Sequence, residues 1–216
     1  MSDLFAVGIV AHESRSDQTK KLAARVKADV VSVDDGTLGC SGNHLNVLER
    51  LYAESEAEWL VVLEDDAVPV RAPLKHVEAA LKSAYEGIVS FYLGTNYPRY
   101  WQPGIQRAVA AASAAEATWI SSDHLLHAVA YAIRRDLVPS MLNGVNGLQL
   151  PIDEAITDWA RSRHHRVLYT WPSLFDHLDD PTVLVHKDGV PRTLPRKAHA
   201  HGVPERWTPR DARLEF

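Results

Sequence analysis

The chain has 216 residues, of which 46% are hydrophobic and 24% are charged, so it is long enough for one well-cored globular domain and short for two. That composition excludes fibrous, low-complexity and disordered proteins. The formal net charge of -5 provides no general electrostatic reason to expect a dedicated nucleic-acid-binding protein.

The first half of the chain alternates strand-like and helix-like segments. Residues 5–10 are a continuous apolar run, typical of a strand covered on both faces and far short of the roughly 20 residues that span a bilayer, so no membrane partner is expected. Further strands are predicted at residues 30–33, 59–63 and 88–93, with helices beginning near Ser16, Ser41 and Pro73. This alternation predicts an α/β fold with a mostly parallel central sheet.

The second half of the chain is less regular. A loop is predicted over residues 95–104, short strands at 118–120, 127–133 and 167–170, and helices at 108–117, 136–142 and 151–163. From residue 179 onward, Pro, His and basic residues dominate without periodicity. We therefore predict one domain over residues 1–185 and a tail over residues 186–216, in which seven Lys and Arg exceed four Asp and Glu.

The chain has one cysteine, Cys40. A single thiol excludes an internal disulfide and a four-thiolate zinc site, and it is consistent with a reducing compartment. A cytoplasmic location is therefore expected.

Carboxylates follow the second and third predicted strands: Asp34 and Asp35 after one, and Glu64, Asp65 and Asp66 after the other. Ligands of open α/β sheets bind beyond the carboxyl ends of the strands, so these acids are expected at the site. The period of a strand places Glu64 and Asp66 on the same side and Asp65 on the other. Crowded carboxylates favour a hard divalent cation; the alternative is that they cap helices or pair with arginines.

Several motifs occur in an order that resembles glycosyltransferases with the GT-A fold. Residues 33–37 (Val-Asp-Asp-Gly-Thr) are similar to family 2, and residues 63–66 (Leu-Glu-Asp-Asp) to family 25. Residues 39–44 (Gly-Cys-Ser-Gly-Asn-His) resemble the Gly-Cys-x-x-Ser-His stretch of family 25, with Asn43 in place of that family's Ser. The segments 127–133, 150–153 and 171–177 follow in the same family's order. The resemblance implies a single GT-A (Rossmann-like) domain and a nucleoside diphosphate sugar donor, above all a UDP-sugar.

The resemblance also implies roles for individual residues. Asp66 would ligate Mn²⁺ or Mg²⁺, and Glu64 would contact the metal or the ribose. The metal neutralises the diphosphate of the donor as it departs. Asp34 or Asp35 would hydrogen-bond the base or the ribose. The other residues expected to contact the donor are His12, Arg15, Asn43 and Asp65.

Enzymes of family 25 invert the anomeric carbon, which requires a general base on the acceptor hydroxyl. Asp153 is the candidate base, because the dipole of its predicted helix favours an ionised carboxylate, and Glu154 is its substitute. The alternative for Asp153 is an ordinary acid in the first turn of a helix. His177 occupies a place from which GT-A enzymes often supply a third metal ligand, and His186 is a weaker candidate. A structural histidine is the alternative.

The basic tail is open to two interpretations. Arg192, Arg196 and Lys197 are suited to fold as a lid over the diphosphate of a donor, or they belong to a solvated basic arm. The aromatic residues of the segment 92–101 are suited to stack a sugar or a base, with core packing as the alternative for Tyr92.

The sequence therefore predicts a metal-dependent glycosyltransferase that moves a sugar to an acceptor hydroxyl. The chain also resembles compact enzymes encoded by bacteriophages, and this resemblance implies a virion protein or a hydroxylated DNA base as the acceptor. The larger family also acts on glycans. A bacteriophage-encoded enzyme would act in the host cytoplasm. Two other classes stay open: a non-catalytic nucleotide-sugar or carbohydrate-binding module, and a nucleotidyltransferase. The latter would require a Gly-rich basic phosphate loop, which residues 7–13 lack.

Overall fold

The computed structural model describes residues 4–179 and 193–215. The helices are α1 (Ser16–Val26), α2 (Gly39–Glu54), α3 (Pro73–Ser83), α4 (Gln102–Ala114), α5 (Val138–Val145) and α6 (Ile152–Ser162). The strands are β1 (Phe5–His12), β2 (Val30–Asp34), β3 (Trp59–Glu64), β4 (Ala67–Pro69), β5 (Ile88–Ser90), β6 (Trp119–Ser122), β7 (Ala130–Arg134), β8 (Val167–Thr170), β9 (Phe175–His177) and β10 (Asp211–Arg213). Single turns of 3₁₀ helix occur at Glu13–Arg15, Arg99–Trp101 and Arg135–Leu137.

Within the described residues, eight strands form one sheet in the order β10-β6-β8-β5-β7-β3-β1-β2. Strands β1, β2, β3, β5 and β8 run in one direction, and β6, β7 and β10 run in the other. The remaining strands, β4 and β9, form a separate antiparallel pair. This arrangement confirms the predicted fold class, an α/β domain with a mostly parallel central sheet.

The continuous apolar runs of the central strands arise because both faces of the sheet are covered. In β3, Leu60 and Val62 belong to the core beneath α2, α5 and α6. The alternate residues Trp59, Val61 and Leu63 belong to a second core beneath α1 and α3. Each face of β3 is thus buried, and its polar carboxyl end is left at the edge of the sheet.

Gly8 in β1 permits the close approach of α2. A Cβ atom at this position would overlap Cγ1 of Val47 and lie 2.9 Å from Cδ1 of Leu51. Val47 and Leu51 are fully buried, so they have no open space into which to move. The absence of a side chain at residue 8 therefore fixes the position of α2, the helix that carries Cys40, Asn43 and His44.

Three features of the fold differ from the sequence-based expectation or go beyond it. Helix α4 begins at Gln102, inside the predicted loop, because Pro103 lies in its first turn, where proline is tolerated. Strands β4 and β9 have three residues each, too few to show a strand period. The predicted tail contributes β10, which pairs in parallel with β6.

None of the described helices is both long enough and apolar enough to cross a membrane.

Candidate functional site

The carboxyl ends of three neighbouring strands bring the predicted acids together. The register pairs His12 of β1 with Asp34 of β2, and Val10 of β1 with Glu64 of β3. The ends of β2 and β3 therefore lie on either side of the end of β1. In an α/β sheet this edge is the usual place for a ligand.

Asp34 and Asp35 have different environments. Asp34 is buried, and its two carboxylate oxygens accept hydrogen bonds from the backbone N–H groups of Leu38 and Gly39, both at 3.0 Å. These bonds hold the start of α2. Asp35 is exposed, and its carboxylate accepts a bond of 3.1 Å from the N–H of Thr37. Hydrogen bonds from the side chain and backbone of Thr37 hold the pKa of Asp35 below its ordinary value. Asp35 thus offers a carboxylate that a ligand can reach.

Asp65 connects the loop after β1 to the end of β3. Its Oδ2 accepts from the backbone N–H of His12 at 2.9 Å, and its Oδ1 accepts from Nη1 of Arg15 at 2.9 Å. The same Nη1 lies 2.5 Å from Oδ2 of Asp66. The strand period does not place Asp65 and Asp66 apart as expected, because β3 ends at Glu64 and the two aspartates lie in the turn that follows. Both aspartates pair with Arg15, which agrees with the alternative prediction that these acids pair with arginines.

Asp66 is buried, and only one of its carboxylate oxygens is accounted for. Oδ2 contacts Arg15 and also lies 3.4 Å from Nε2 of His177. Oδ1 has no hydrogen-bond partner in the part of the chain that the structure describes. Burial and the charge of Glu64 raise the pKa of Asp66, opposed by His177 and Arg15. A buried carboxylate oxygen without a partner is costly, and a bound cation would satisfy it.

Glu64 is held by a histidine that the sequence argument did not single out. Nε2 of His44 lies 3.2 Å from Oε1 of Glu64, and Nδ1 lies 3.2 Å from the hydroxyl of Tyr131. Burial alone would raise the pKa of Glu64, but the hydrogen bond from His44 and the charges of His44, His177 and Arg15 hold it below its ordinary value. In the sequence, His44 stands out only as part of the Gly-Cys-x-x-x-His motif. Its contact with Glu64 of β3 arises from the fold.

His177 reaches Asp66 because β9 pairs with β4, which places His177 opposite Ala67. The backbone N–H of Asp179 donates to Nδ1 of His177 at 2.8 Å. The neutral ring therefore carries its proton on Nε2, the atom that faces Asp66. Burial lowers the pKa of His177, opposed by the charge of Asp66. The weaker candidate His186 lies outside the described residues.

The donor set fits a divalent metal in part. Oxygen ligands suit Mg²⁺ and Mn²⁺, and Asp66 offers a buried, unpartnered oxygen beside Glu64. Histidines that ligate a metal ordinarily donate their second ring N–H to an acceptor, whereas Nδ1 of His177 accepts a bond from Asp179. In this arrangement His177 is a hydrogen-bond donor to Asp66, and ligation through Nε2 would require the turn at Asp179 to move.

Asp153 and Glu154 lie in the first turn of α6. Asp153 is half-buried, and burial, reinforced by the charges of Glu154 and Glu64, raises its pKa to about 7. Glu154 is exposed and donates its backbone N–H to Oδ1 of Asp153 at 3.1 Å. The hydroxyl of Ser41 donates to the carbonyl of Leu150 at 3.1 Å, which connects the start of α2 to the segment before α6. A carboxylate with a pKa near 7 has the proton affinity of a general base at neutral pH.

Asn43 connects α2 to two strand ends. Its Nδ2 donates to the carbonyls of Ala11 at 3.0 Å and Ser32 at 3.2 Å. Its Oδ1 is buried and unpartnered among residues 4–179 and 193–215. The Nδ2 group of Asn43 therefore has a structural role, because it holds α2 against the two strands. Its Oδ1 remains an acceptor beside the loop that begins at His12.

The described part of the tail packs along the segment that carries His177. The backbone N–H and Nε of Arg196 donate to Oδ1 of Asp179 at 3.0 and 3.2 Å. Nζ of Lys197 donates to the carbonyl of His177 at 2.5 Å and lies 3.7 Å from Asp176. These two cations thus contact the turn after β9 in this structure. Arg192 lies outside the described residues.

The aromatic segment divides into buried and exposed parts. Tyr92 is buried and packs edge-on against His127, with ring centroids 5.1 Å apart. Tyr100 is 82% exposed, and the neighbouring Trp101 packs against His124 at 4.3 Å. Core packing accounts for Tyr92, whereas Tyr100 is exposed and available to a ligand.

No protein-family model and no curated protein matches the chain. Among solved structures it is similar to A197 from STIV, with 13% identity, a TM-score of 0.53, and coverage of 92% of this chain and 96% of that chain. It also aligns with a mutant of Drosophila β-1,4-galactosyltransferase 7 in complex with manganese, UDP-Gal and xylobiose, at 12% identity and a TM-score of 0.45 over 81% of this chain and 71% of that chain. A glycosyltransferase involved in the glycosylation of the major capsid of PBCV-1 aligns at 8% identity and a TM-score of 0.36 over 69% and 72% of the two chains. The similarity to A197 shows a shared fold.

Proposed function

We propose that this chain is a metal-dependent glycosyltransferase that moves a sugar from a nucleoside diphosphate donor, above all a UDP-sugar, to an acceptor hydroxyl. The observation that carries the proposal is the buried, unpartnered Oδ1 of Asp66 beside Glu64 at the carboxyl edge of the sheet. A carboxylate pair at this edge is suited to a cation that itself binds a diphosphate.

Asp66 and Glu64 would hold Mn²⁺ or Mg²⁺, with His177 as the third group at this centre. When bound, the metal neutralises the charge that develops on the departing diphosphate. Arg15 orients Asp66 through the 2.5 Å contact and supplies a fixed positive charge beside the carboxylates. His177 holds the same oxygen of Asp66 from β9.

The donor nucleoside would lie between the ends of β1 and β2. Asp35 offers an exposed carboxylate for the ribose or the base, and the loop that begins at His12 flanks the same position. Asp34 and Asp65 support this site by holding α2 and Arg15, and the free Oδ1 of Asn43 is an acceptor for a donor group of the nucleotide.

Asp153 would act as the general base in an inverting transfer. Its pKa of about 7, raised by burial and by the charges of Glu154 and Glu64, and its place at the start of α6 support this role. The carboxylate would accept the proton of the acceptor hydroxyl as its oxygen attacks the anomeric carbon. Glu154 is exposed and remains the substitute.

The acceptor would be a hydroxyl of a virion protein, a modified DNA base or a glycan, and Tyr100 is the exposed ring suited to stack on it. We also propose that the chain acts in the cytoplasm, which is the host cytoplasm if a bacteriophage encodes it.

A thermal-shift screen of the full chain against nucleoside diphosphate sugars tests the proposal. A donor that binds only the folded state raises the apparent melting temperature, and Mn²⁺ should increase that rise because metal and diphosphate share one site. Asp66→Asn should abolish the metal-dependent part, and Glu58→Gln, an exposed acid at the other end of β3, is the matched control. Donor stabilisation without turnover would indicate a binding module. Stabilisation by nucleoside triphosphates and sugar phosphates, with release of pyrophosphate, would indicate nucleotidyl transfer.

A further inference from the structure

Cys40, His44 and Glu64 form a cluster of donor atoms at the start of α2. Cys40 and His44 are four residues apart on the helix and so share one face, and Glu64 is the last residue of β3. One donor atom from each of the three lies within 4.8 Å of the others. Nε2 of His44 and Oε1 of Glu64 are 3.2 Å apart.

We propose that Cys40, His44 and Glu64 form a second metal site, which takes a borderline-soft divalent ion such as Zn²⁺ and shares only Glu64 with the oxygen site at Asp66. Sulfur, imidazole nitrogen and a carboxylate oxygen are the ligands that Zn²⁺ accepts, and three protein ligands leave a fourth position open. Mg²⁺ prefers an all-oxygen set and would not select a thiolate.

The spacing of the donor atoms is close to that of a tetrahedral ion. Ligands at zinc-bonding distance from one ion are about 3.3–3.6 Å apart. The His44 and Glu64 atoms are 3.2 Å apart, close to that separation, and Sγ of Cys40 lies within 4.8 Å of a donor atom of each. Rotation about the Cys40 side-chain torsion is the adjustment that a bound ion would require.

Tyr131 fixes the orientation of the His44 imidazole. In the metal-free chain Nε2 of this ring donates to Glu64, so a metal that binds through Nε2 would displace that proton. His44 is fully buried, its ring stacks on that of Tyr131 with centroids 5.8 Å apart, and its Nδ1 lies 3.2 Å from the Tyr131 hydroxyl. A histidine that binds a metal through Nε2 carries its proton on Nδ1 and donates it to such an oxygen. Tyr131 is therefore the outer partner that a metal-bound His44 requires.

The charges around Cys40 favour a cation. The carboxylates of Glu64, Asp153 and Asp66 all act on its thiol. Binding of a divalent ion displaces the thiol proton and replaces repulsion between the carboxylates with attraction to the metal. Because Glu64 belongs to both sites, a soft ion held by Cys40 and His44 should weaken Mn²⁺ binding at Asp66, a consequence that rests on the proposed function.

Titration of the freshly reduced full chain with Co²⁺, in the absence of any sugar nucleotide, tests the site. A thiolate bound to Co²⁺ gives a sulfur-to-metal charge-transfer band in the near ultraviolet, and Cys40 is the only sulfur of that kind in the chain, so the band reports Cys40 alone. We expect the band to saturate at one ion per chain, to be removed by added Zn²⁺, and to be unaffected by an excess of Mg²⁺.

Three variants separate the site from a lone thiol. Cys40→Ser should abolish the band, and His44→Asn and Glu64→Gln should each weaken Co²⁺ binding about tenfold or more. His164→Asn, a change at an exposed histidine with positive φ, is the control and should leave it unaltered. Absence of the band in the unmodified chain would overturn the site. Full Co²⁺ affinity in Glu64→Gln would also overturn it. Neither result depends on whether the chain transfers sugar.

Discussion

Nε2 of His177 lies 3.4 Å from Oδ2 of Asp66, although the two residues are far apart in the sequence. The contact is formed by the pairing of β4 with β9, each of only three residues. On its other side, the His177 ring accepts the N–H of Asp179, and Asp179 in turn pairs with Arg196 of the C-terminal segment. The candidate metal site and the described part of the tail are therefore connected through one histidine.

His177→Ala should weaken Mn²⁺ binding about 10- to 100-fold, the usual effect of losing an outer partner that orients a ligand. Asp66→Asn should weaken it much more, because it removes the ligand. Isothermal titration of both variants with Mn²⁺ checks this order. Equal losses in the two variants would show that His177 ligates the metal directly and that the turn at Asp179 rearranges when it does.

The pKa of about 7 at Asp153 predicts how transfer depends on pH. A general base acts when deprotonated, so kcat should rise with pH through about 7 and level off above it. Asp153→Asn should retain the donor-induced thermal shift and lower kcat about 10²- to 10⁴-fold. A pH profile that is flat between pH 5 and 8, or transfer at the unmodified rate by Asp153→Asn, would exclude Asp153 and leave Glu154 or a group of the acceptor as the base.

Asp34 and Asp35 should separate into a structural and a ligand-binding residue. Asp34→Ala removes the acceptor of two backbone N–H groups at the start of α2 and should lower the free energy of unfolding by about 0.5–2 kcal/mol. Asp35→Asn should leave stability nearly unchanged and weaken donor binding about tenfold or more, the effect of losing a hydrogen bond to a charged group. Chemical denaturation and donor titration measure the two effects. The reverse pattern would assign the donor contact to Asp34.

Gly8→Ala should destabilise the fold by about 1–3 kcal/mol, because the added methyl group overlaps the buried Val47 and Leu51. Gly42→Ala in α2 is the matched control. A Cβ at residue 42 makes only an ordinary contact with Leu38, and alanine favours the helix, so stability should be unchanged or rise by up to about 1 kcal/mol. Urea denaturation of the two variants gives the comparison. Equal stability of Gly8→Ala and the unmodified chain would show that α2 can move away from β1.

Much of the fold could be predicted because the central strands have a strong signal. Residues 5–10 and 59–63 are apolar throughout, since both faces of β1 and β3 are covered by helices. The polar carboxyl ends of these strands are therefore visible in the sequence, and they indicate the acids at the site. The strands β4, β9 and β10 cannot be predicted in this way. Each has only three residues, too few to show a strand period, and each is defined by its pairing with a strand distant in the sequence.

The contacts within the site were harder to predict. The pairing of Arg15 with both Asp65 and Asp66 depends on a turn that ends the strand period. The contact between His44 and Glu64 depends on the close approach of α2 to the sheet, which Gly8 permits and which no local pattern around His44 indicates. The sequence thus indicates which residues gather at the carboxyl edge of the sheet. Which side chains they contact there depends on how the helices and turns pack.

Mn²⁺-dependent cleavage of the donor identified by thermal shift tests the central claim most directly. The full chain, incubated with that nucleoside diphosphate sugar and Mn²⁺, should release the nucleoside diphosphate slowly with water as the acceptor, as measured by chromatography and mass spectrometry. Asp66→Asn should reduce the rate about 100-fold or more, because a metal contributes several kcal/mol to stabilising the leaving diphosphate. Glu58→Gln should stay within about twofold of the unmodified chain. Release of nucleoside diphosphate at the same rate in Asp66→Asn, or without metal, would contradict the account.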